Sequence, residues 1–346
     1  MGVKILHSAD WHLDSPFGGF PEDQRQFLRR KQREIPGKIG TLVRRELCDM
    51  VLLAGDLFDG QPSRETVEAV KSALKDWGVP VFIAPGNHDF CCPGSPWLEE
   101  TWPENVHIFT GSLESVAVPE LDCRIWGAGY RSMDCEALLE GFRAEGVETY
   151  QIGLLHGDPT TANSPCCPIT MAQVRNSGLT CLALGHIHKA GYFRSGETLC
   201  VWPGSPMGRG WDELGDKGVC IVTLEERAEI QPVSLELPCF YRLEGDKEDL
   251  EALLPAADND HFYQITLTGT QDSDLSDFRE KLSRFPHLEL SDKREAPVDL
   301  WADCEEDTLR GAYFRRLREI SSEEPNALLA AEISRRLLEG REVRLP

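Results

Sequence analysis

The sequence predicts an α/β protein in which two β-sheets pack face to face and helices lie outside them. Strand and helix patterns alternate through the first half of the 346 residues. The strands of that half are nearly continuous apolar runs, which are typical of parallel strands buried on both faces. Later segments read as short strands separated by turn residues, and these would supply the second sheet.

The first half follows a βαβαβ order. Its strands are expected within VKILHSAD, DMVLLAGDLFD and VPVFIAPGNHD. The basic stretch RQFLRRKQREIPGKIGTLVRRELC is expected to be helical and to be interrupted or restarted at Pro36-Gly37. A second helix, SRETVEAVKSALKDWG, has Ser63 as its N-cap and Gly78 as its end. Its predicted inner stripe is Val67, Val70, Leu74 and Trp77.

The second half is richer in strands. Strands are predicted in VHIFTG, CRIWGAGY, QIGLLHGD, TCLALGHIH, TLCVWPGSP and GVCIVTLE. The pattern changes near Pro238, where FYQITLTGT, DLSDFREKLSRF and HLELSDK predict a compact βαβ unit. We therefore expect a main domain over residues 1–238, a small α/β cap domain over 239–300 and a helical C-terminal segment over 301–346.

Composition restricts the class of protein. No apolar run approaches the roughly 18 to 20 residues that span a bilayer, and the N-terminus lacks a signal-peptide pattern, so we expect a cytoplasmic protein with no membrane partner. None of the 12 cysteines forms a C-x-x-C pair, which favours scattered buried thiols in a reducing compartment. The net charge of −22 argues against strong unaided binding to nucleic-acid phosphates.

Polar motifs follow the apolar strands at the points where the strands end. Because the carboxyl ends of strands in an open α/β sheet line one crevice, we expect these motifs to converge. The candidate metal ligands are two carboxylates, one amide and four imidazoles: Asp10, His12, Asp56, Asn87, His156, His186 and His188. The remaining histidines, His7, His107, His261 and His287, are interpreted as structural.

This set of ligands contains no thiolate and suits Mn, Fe or Zn. Seven ligands are too many for one ion, but they suit two ions bridged by a shared carboxylate, an arrangement that serves in-line phosphoryl displacement. The glycines before Asp56, Asn87 and His186 are expected to let the backbone turn sharply beside the ions.

The motifs DWH, GDLFD, GNHD, LLHGD and GHIH, in this order, resemble those of the calcineurin-like metallophosphoesterases. The resemblance covers roughly residues 4 to 205. Within that superfamily the chain most resembles the bacterial SbcD/YhaO-type DNA repair exonucleases, through HSADWHLDSPF, WPGSPMGRG, GDKGVCIVTLE and the small unit after the main domain. The resemblance implies a four-layer α-β-β-α sandwich with a small βαβ cap and a helical C-terminal tail.

The resemblance also implies a role for each residue. Asp10, His12 and His188 would hold one divalent metal ion, and Asn87, His156 and His186 would hold the second. Mn is the expected metal for both. Asp56 would bridge them, and hydroxide would attack phosphorus in line. His88 would stabilise and protonate the leaving oxygen, and Asp89 would orient His88. Relatives from eukaryotes and archaea typically carry a histidine at the position of Asp59, whose role stays open.

Three functions remain in view at this point. The first is a metal-dependent DNA nuclease, and the second is a small-molecule phosphodiesterase or phosphatase that uses the same metals. A non-catalytic scaffold is the third, but scaffolds tend to lose ligands and here the full set is present. The segment from Pro21 to Leu47 contains eight basic and four acidic residues, a local charge of +4, and is either a solvated helix face or a face that tracks phosphates.

The C-terminal tail is predicted to bind a partner. Leu309, Tyr313, Leu317 and Ile320 fall on one helical face, and Leu329, Ile333 and Leu337 repeat in a second helix. Such helices either cover their own domain or dock in a groove of another protein. The resemblance implies an SMC-like ATPase of the SbcC type as partner, and also a possible homodimer.

Overall fold

The computed structural model describes residues 2–255, 260–271, 274–297, 299–340 and 343. By their internal contacts, the residues divide into two compact units. One comprises residues 1–242, 259–263 and 285–287, and the other comprises residues 243–258, 264–284 and 288–346. The division into three domains that the sequence suggested stays a prediction.

The first sheet of the first unit combines parallel and antiparallel strands. Its strands are β1 (Val3–Ser8), β2 (Met50–Leu53), β3 (Val81–Ile83), β4 (Val106–Ile108), β11 (Gly218–Leu224) and β12 (Glu229–Ser234). The spatial order is β12-β11-β1-β2-β3-β4. Strands β1 to β4 run parallel to their neighbours, and β11 and β12 add on antiparallel. The predicted parallel, buried character of β1, β2 and β3 is confirmed.

The second sheet follows a similar plan. Its strands are β5 (Glu114–Val118), β6 (Cys123–Gly127), β7 (Tyr150–His156), β8 (Cys181–Gly185), β9 (Gly191–Ser195) and β10 (Thr198–Trp202). The order is β5-β6-β7-β8-β10-β9, with β6, β7, β8 and β10 parallel and the two edge strands antiparallel. The edge strands β5, β9 and β12 were not identified from the sequence.

Helices complete the layers of the first unit. They are α1 (Glu22–Gln32), α2 (Ile35–Glu46), α3 (Arg64–Asp76), α4 (Pro96–Glu99) and α5 (Met171–Asn176). One apolar core lies between the first sheet and α1 to α3, a second lies between the sheets, and a third lies on the outer face of the second sheet with Val174 of α5. This is the α-β-β-α sandwich expected from the sequence.

The local expectations for these helices hold with one shift. Ser63 caps α3 by accepting a hydrogen bond from the N–H of Thr66, and the predicted inner stripe of α3 is buried. The break between α1 and α2 comes at residues 33–34, before Pro36, which lies in the first turn of α2. Proline is tolerated in a first turn because the N–H groups there have no partner within the helix.

The second unit contains most of a three-stranded sheet and a pair of C-terminal helices. Its elements are β13 (Phe240–Gly245), α6 (Lys247–Leu253), β14 (Phe262–Leu267), α7 (Ser276–Leu282), β15 (His287–Asp292), α8 (Leu309–Ile320) and α9 (Pro325–Leu338). The sheet order is β13-β14-β15. The predicted βαβ succession is present as β14, α7 and β15. No helix within the described ranges has both the length and the apolar character needed to cross a membrane.

The C-terminal helices cover only part of the predicted stripe, because Leu317 packs against a small core while other members stay exposed. Phe314, Cys304 and Ala331 form a small core of their own, whereas Leu309 and Tyr313 of the predicted stripe are exposed. The side chain of Arg335 is buried, ion-paired with Asp303, and its guanidinium carbon lies 4.3 Å from the ring centroid of Phe314. Part of the apolar surface of this tail therefore remains uncovered within the described residues.

His7 is a buried histidine that joins the two sheets. Its Nε2 lies 3.0 Å from the carbonyl oxygen of Leu184 in β8, and its Nδ1 lies 3.3 Å from that of Leu52 in β2. The side chain is fully buried, and this burial lowers its pKa to about 4. The structural role expected for His7 agrees with these contacts.

This lowered pKa predicts a loss of stability in mild acid. Between pH 6.5 and 4 the unfolded chain binds a proton at His7 that the folded chain does not, so the free energy of unfolding should fall as pH falls, by about 3 kcal/mol for this one group. Urea denaturation of metal-free protein across that range should give a steeper pH dependence for the wild type than for His7→Gln. Equal slopes would contradict the assignment.

Candidate metal centre

All seven predicted metal ligands meet where strands of both sheets end. Asp10 and His12 follow β1, Asp56 follows β2 and Asn87 follows β3. From the second sheet, His156 is the last residue of β7, and His186 and His188 follow β8. The inference from strand-end positions therefore predicted the convergence of the side chains.

One group of ligands consists of Asp10, His12 and His188, whose donor atoms lie within 4.8 Å of one another. The Nε2 atoms of His12 and His188 are 3.1 Å apart. Nδ1 of His188 lies 2.7 Å from Oε1 of Glu213, a distance that requires a proton donated by the ring. A neutral His188 therefore presents an unprotonated Nε2 to this group, as a metal ligand must.

The second group brings together Asn87, His156 and His186. Oδ1 of Asn87 lies 2.9 Å from Nε2 of His156 and 3.2 Å from Nδ1 of His186. Nδ1 of His156 donates to the carbonyl oxygen of Ala54 at 2.8 Å, so Nε2 of the neutral ring is an acceptor. Two acceptors at this separation repel each other, and a cation shared between them would relieve the repulsion.

Asp56 lies between the two groups. Its Oδ2 is 3.7 Å from Nε2 of His12 and 3.5 Å from Nε2 of His156. Its neighbour Asp10 is equally buried, and Oδ2 of Asp10 has no hydrogen-bond partner among the described residues. Buried carboxylates without partners are costly unless they bind a cation. Carboxylate, amide and imidazole donors in this arrangement fit two divalent ions that share Asp56.

The backbone is strained at the same place. Asp10, His12, Asp56 and His186 all have positive φ, at 54°, 48°, 53° and 88°. Non-glycine residues rarely adopt this conformation, and it clusters at functional sites. Four of the seven candidate ligands therefore point inward from a left-handed backbone.

The three glycines before ligands serve two different purposes. Gly55 has φ of +82°, so the expected sharp turn requires glycine there. Gly86 does not have a positive φ, but a Cβ at this position would lie 2.3 Å from Oδ1 of Asp56. A Cβ at Gly185 would lie 2.0 Å from the carbonyl oxygen of Ala54. At these two positions the requirement is space for close approach.

His88 lies beside the ligands and pairs with Asp59. Nδ1 of His88 is 3.0 Å from Oδ1 of Asp59, whose other oxygen accepts from Ser15 at 2.9 Å. This carboxylate raises the pKa of His88, and its contacts with His12 and His88 hold the pKa of Asp59 well below its usual range. Because donor atoms of His12, Asp56 and His88 also lie within 4.8 Å of one another, geometry alone would permit His88 as a ligand.

Asp89 does not orient His88, contrary to the expectation from the sequence. Its Oδ1 accepts from the N–H groups of Gly86 at 2.8 Å and Asp56 at 3.2 Å. Its Oδ2 accepts from those of Leu57 at 2.8 Å and Phe58 at 3.3 Å. Burial and the nearby charge of Asp56 raise the pKa of Asp89 to about 7. The carboxylate joins the loops after β2 and β3, and Asp59 takes the position beside His88.

The sequence did not identify the residues behind His188. Oε2 of Glu213 accepts from Ser205 at 3.2 Å, and Lys217 donates to the carbonyl oxygen of His188 at 3.0 Å. Burial alone would raise the pKa of Glu213, but the hydrogen bond from His188 and the charges of Arg209 and Lys217 together outweigh it, and the pKa falls to about 2. These residues lie in the irregular segment between β10 and β11, where no periodicity marks a side chain as inward-facing.

The basic segment around α1 and α2 is partly neutralised. Gln32 of α1 donates to the carbonyl oxygens of Trp11 and His12, so the helix packs behind the first ligands. Five of its eight basic side chains form ion pairs, in which Arg25 and Arg29 contact Glu22, Arg33 contacts Asp14, Lys31 contacts Asp260 and Arg45 contacts Glu46. These pairs reduce the charge that this face offers to a polyanion.

Comparison with known proteins adds an independent finding. The sequence profile of the family described as calcineurin-like phosphoesterase matches residues 3–190. The metallophosphoesterase YhaO of Bacillus subtilis, described as uncharacterized, is 33% identical over 242 residues, which cover 64% of this chain and 57% of that protein. The chain thus spans less than two thirds of that relative.

Two more distant relatives are each described as the SbcD component of the nuclease SbcCD. The protein from Staphylococcus epidermidis is 22% identical over 83% of this chain and 84% of its own length. The protein from Bacillus subtilis is 27% identical over 64% of this chain and 66% of its own length.

The role of Asp89 as a backbone acceptor predicts a large loss of stability in Asp89→Asn. The amide would turn an N–H group toward two backbone donors and leave them unpaired, which should cost about 2 to 5 kcal/mol in the free energy of unfolding. The matched control is Asp158→Asn, because Oδ1 of Asp158 accepts the hydrogen bonds from Thr160 and Thr161 and asparagine keeps that oxygen. Equal losses in urea denaturation would contradict this account.

Proposed function

Because the chain belongs to the calcineurin-like phosphoesterase family, we propose that it is a metal-dependent phosphodiesterase, and specifically a DNA nuclease of DNA repair. The observation that carries this proposal is the pair of ligand groups on either side of Asp56. Sites with two metals suit in-line displacement at phosphorus, because both the attacking and the leaving oxygens need their charge stabilised.

The proposed ligands follow the two groups. Asp10, His12 and His188 would hold one ion, Asn87, His156 and His186 would hold the other, and Asp56 would be shared between them. Mn²⁺ is the proposed ion, with Fe or Zn as alternatives that the same donor atoms accept. When bound, the two ions supply an activated water and stabilise negative charge on the phosphate.

His88 is the proposed general acid. Its side chain is partly exposed, at 39%, and can therefore reach a substrate, while its Nδ1 is engaged by Asp59. This pairing leaves Nε2 to donate a proton to the leaving oxygen. The carboxylate of Asp59 favours the protonated ring that a general acid requires, and it does so from the position that the sequence had assigned to Asp89.

The choice of DNA as substrate rests on resemblance to the SbcD components of the SbcCD nucleases. A small phosphodiester or phosphomonoester is the second candidate. It is favoured by the net charge of −22 and by the ion pairs that neutralise much of the basic segment. Both candidate substrates would be hydrolysed at the same metal centre, so the protein surface around that centre decides between them.

A partner protein would resolve this conflict of charge. We propose that residues from about 301 to 346 dock an SMC-like ATPase of the SbcC type, which would bring DNA to an acidic nuclease. Leu309, Leu328 and Leu337 are exposed on α8 and α9 although a small core forms beside them. A homodimer is proposed as well, and the reducing cytoplasm is the proposed location because all twelve cysteines are free thiols.

The test of function is hydrolysis by protein loaded with Mn²⁺. Linear duplex DNA, single-stranded DNA and bis-p-nitrophenyl phosphate should be offered in parallel, and the proposed nuclease cleaves DNA. His88→Ala should lose about 100-fold or more of the activity while it keeps two metal ions per chain, because a general acid contributes on this scale.

Two results would refute these assignments. Loss of metal in His88→Ala would make His88 a ligand, and cleavage of the small diester alone would favour the second candidate. The matched control is His107→Ala, a partly buried histidine outside the cluster, which should keep both metal and activity.

If the exposed leucines of α8 and α9 form the docking surface, partner binding can be lost while catalysis is kept. Leu309→Asp combined with Leu337→Asp changes two exposed side chains and should abolish co-purification with an SbcC-type ATPase, because burying a new charge opposes docking. Hydrolysis of bis-p-nitrophenyl phosphate should be unchanged. Leu253→Asp, at an exposed position on α6, should leave co-purification intact. Retained association of the double variant would exclude this surface.

A further inference from the structure

Arg209 lies at the edge of the metal centre, in the segment between β10 and β11. Its backbone N–H donates to Oε2 of Glu213 at 3.2 Å, and its Nε donates to Oε1 at 3.1 Å. Glu213 is itself buried, with 7% of its side chain exposed, and the side chain of Arg209 is 25% exposed. A buried carboxylate therefore holds a guanidinium group that is open to solvent.

The two terminal nitrogens of Arg209 are available to a ligand. Nη2 lies 3.2 Å from Nδ1 of His188, but that ring nitrogen already donates its proton to Glu213 at 2.7 Å and cannot accept another. Nη1 lies 4.0 Å from Oδ1 of Asp59, beyond hydrogen-bonding distance. The part of the chain that the structure describes thus offers no acceptor to either nitrogen.

These nitrogens face the position where a phosphate would lie. Oδ1 of Asp59, which lies 4.0 Å from Nη1, is the same atom that contacts His88, the proposed general acid. Arg209 also adjoins His188, a proposed ligand of the first metal. A phosphate between the metal centre and His88 would come within reach of the guanidinium.

We propose that Arg209 binds the non-bridging oxygens of the substrate phosphate, an inference that rests on the proposed function. A guanidinium presents two parallel N–H groups that match two phosphate oxygens. Asp10, Asp56 and Asp59 line the site and offset most of the charge of two divalent ions, so a fixed cation would add to the attraction of an incoming anion. Glu213 acts as a positioning residue, because it aims both Arg209 and His188.

The test compares Arg209→Gln and Arg209→Lys with the wild type, all loaded with Mn²⁺. Calorimetric titration with inorganic phosphate should give a Kd about 10- to 100-fold weaker for Arg209→Gln, the range expected for lost hydrogen bonds to a charged group. KM for bis-p-nitrophenyl phosphate should rise as well. Arg209→Lys should fall between the two, since it keeps the charge but not the paired N–H groups.

Controls separate binding from structure. Metal content should stay at two ions per chain in both Arg209 variants, and Arg64→Gln, at an exposed position on the first turn of α3, should match the wild type in every measurement. Unchanged phosphate affinity in Arg209→Gln would overturn the assignment, and so would loss of metal, which would make Arg209 a structural residue.

The same measurements distinguish this inference from the proposed function. A wild-type protein that binds phosphate through Arg209 but cleaves none of the offered diesters would refute the phosphodiesterase and support the role of Arg209. If the wild type cleaves diesters and Arg209→Gln has the same KM, the phosphodiesterase would be supported and the role of Arg209 would be refuted.

Discussion

Hydrogen bonds between the two sheets hold the candidate metal centre together. Asp10 follows β1 of the first sheet, and His186 follows β8 of the second. Oδ1 of Asp10 accepts a hydrogen bond from the N–H of His186 at 3.0 Å. A side chain of the second sheet likewise reaches the backbone of the first, because Nδ1 of His156 donates to the carbonyl oxygen of Ala54 at 2.8 Å. Because each bond fixes both a side chain and the backbone of the facing sheet, the relative position of the sheets sets the distances between ligand atoms. The bond from His156 also sets its tautomer and aims Nε2 at the centre.

Burial of like charges accounts for much of the local structure. Asp10, Asp56 and Asp89 are all buried within one small region. Their mutual repulsion would favour opening of the site unless each has a compensating partner. Asp89 is compensated by four backbone N–H groups, whereas Asp10 keeps one oxygen without any partner among the described residues. This asymmetry separates a structural carboxylate from carboxylates that are free to bind a cation, although all three are aspartates at strand ends.

The sequence predicted what depends on local pattern and missed what depends on contacts across the chain. Apolar runs followed by polar motifs located β1, β2, β3, β7 and β8 and therefore the seven ligands. The roles of Asp59 and Asp89 were not predictable in this way, because both follow strands in acidic motifs and only the folded chain decides which one meets His88. Arg209 and Glu213 lie in a segment without regular structure, so no hydrophobic period marks them. The edge strands β5, β9 and β12 are short or largely exposed, which weakens the alternation that identifies a strand.

The net negative charge of the chain does not prevent binding of a small phosphate substrate, because charges interact strongly only over short distances. Salt screens charges beyond about 8 Å at physiological ionic strength, so a small phosphoester at the centre would respond mainly to Arg209, His88 and the proposed metal ions. A duplex DNA is different, because its phosphates extend well past the centre and meet the surrounding surface. There the ion pairs of Arg25, Arg29 and Arg33 reduce the positive charge available to release counterions. On the proposed function, the metal centre would therefore act on a small diester without help, whereas sustained action on DNA would require positive charge from elsewhere, such as a DNA-binding partner.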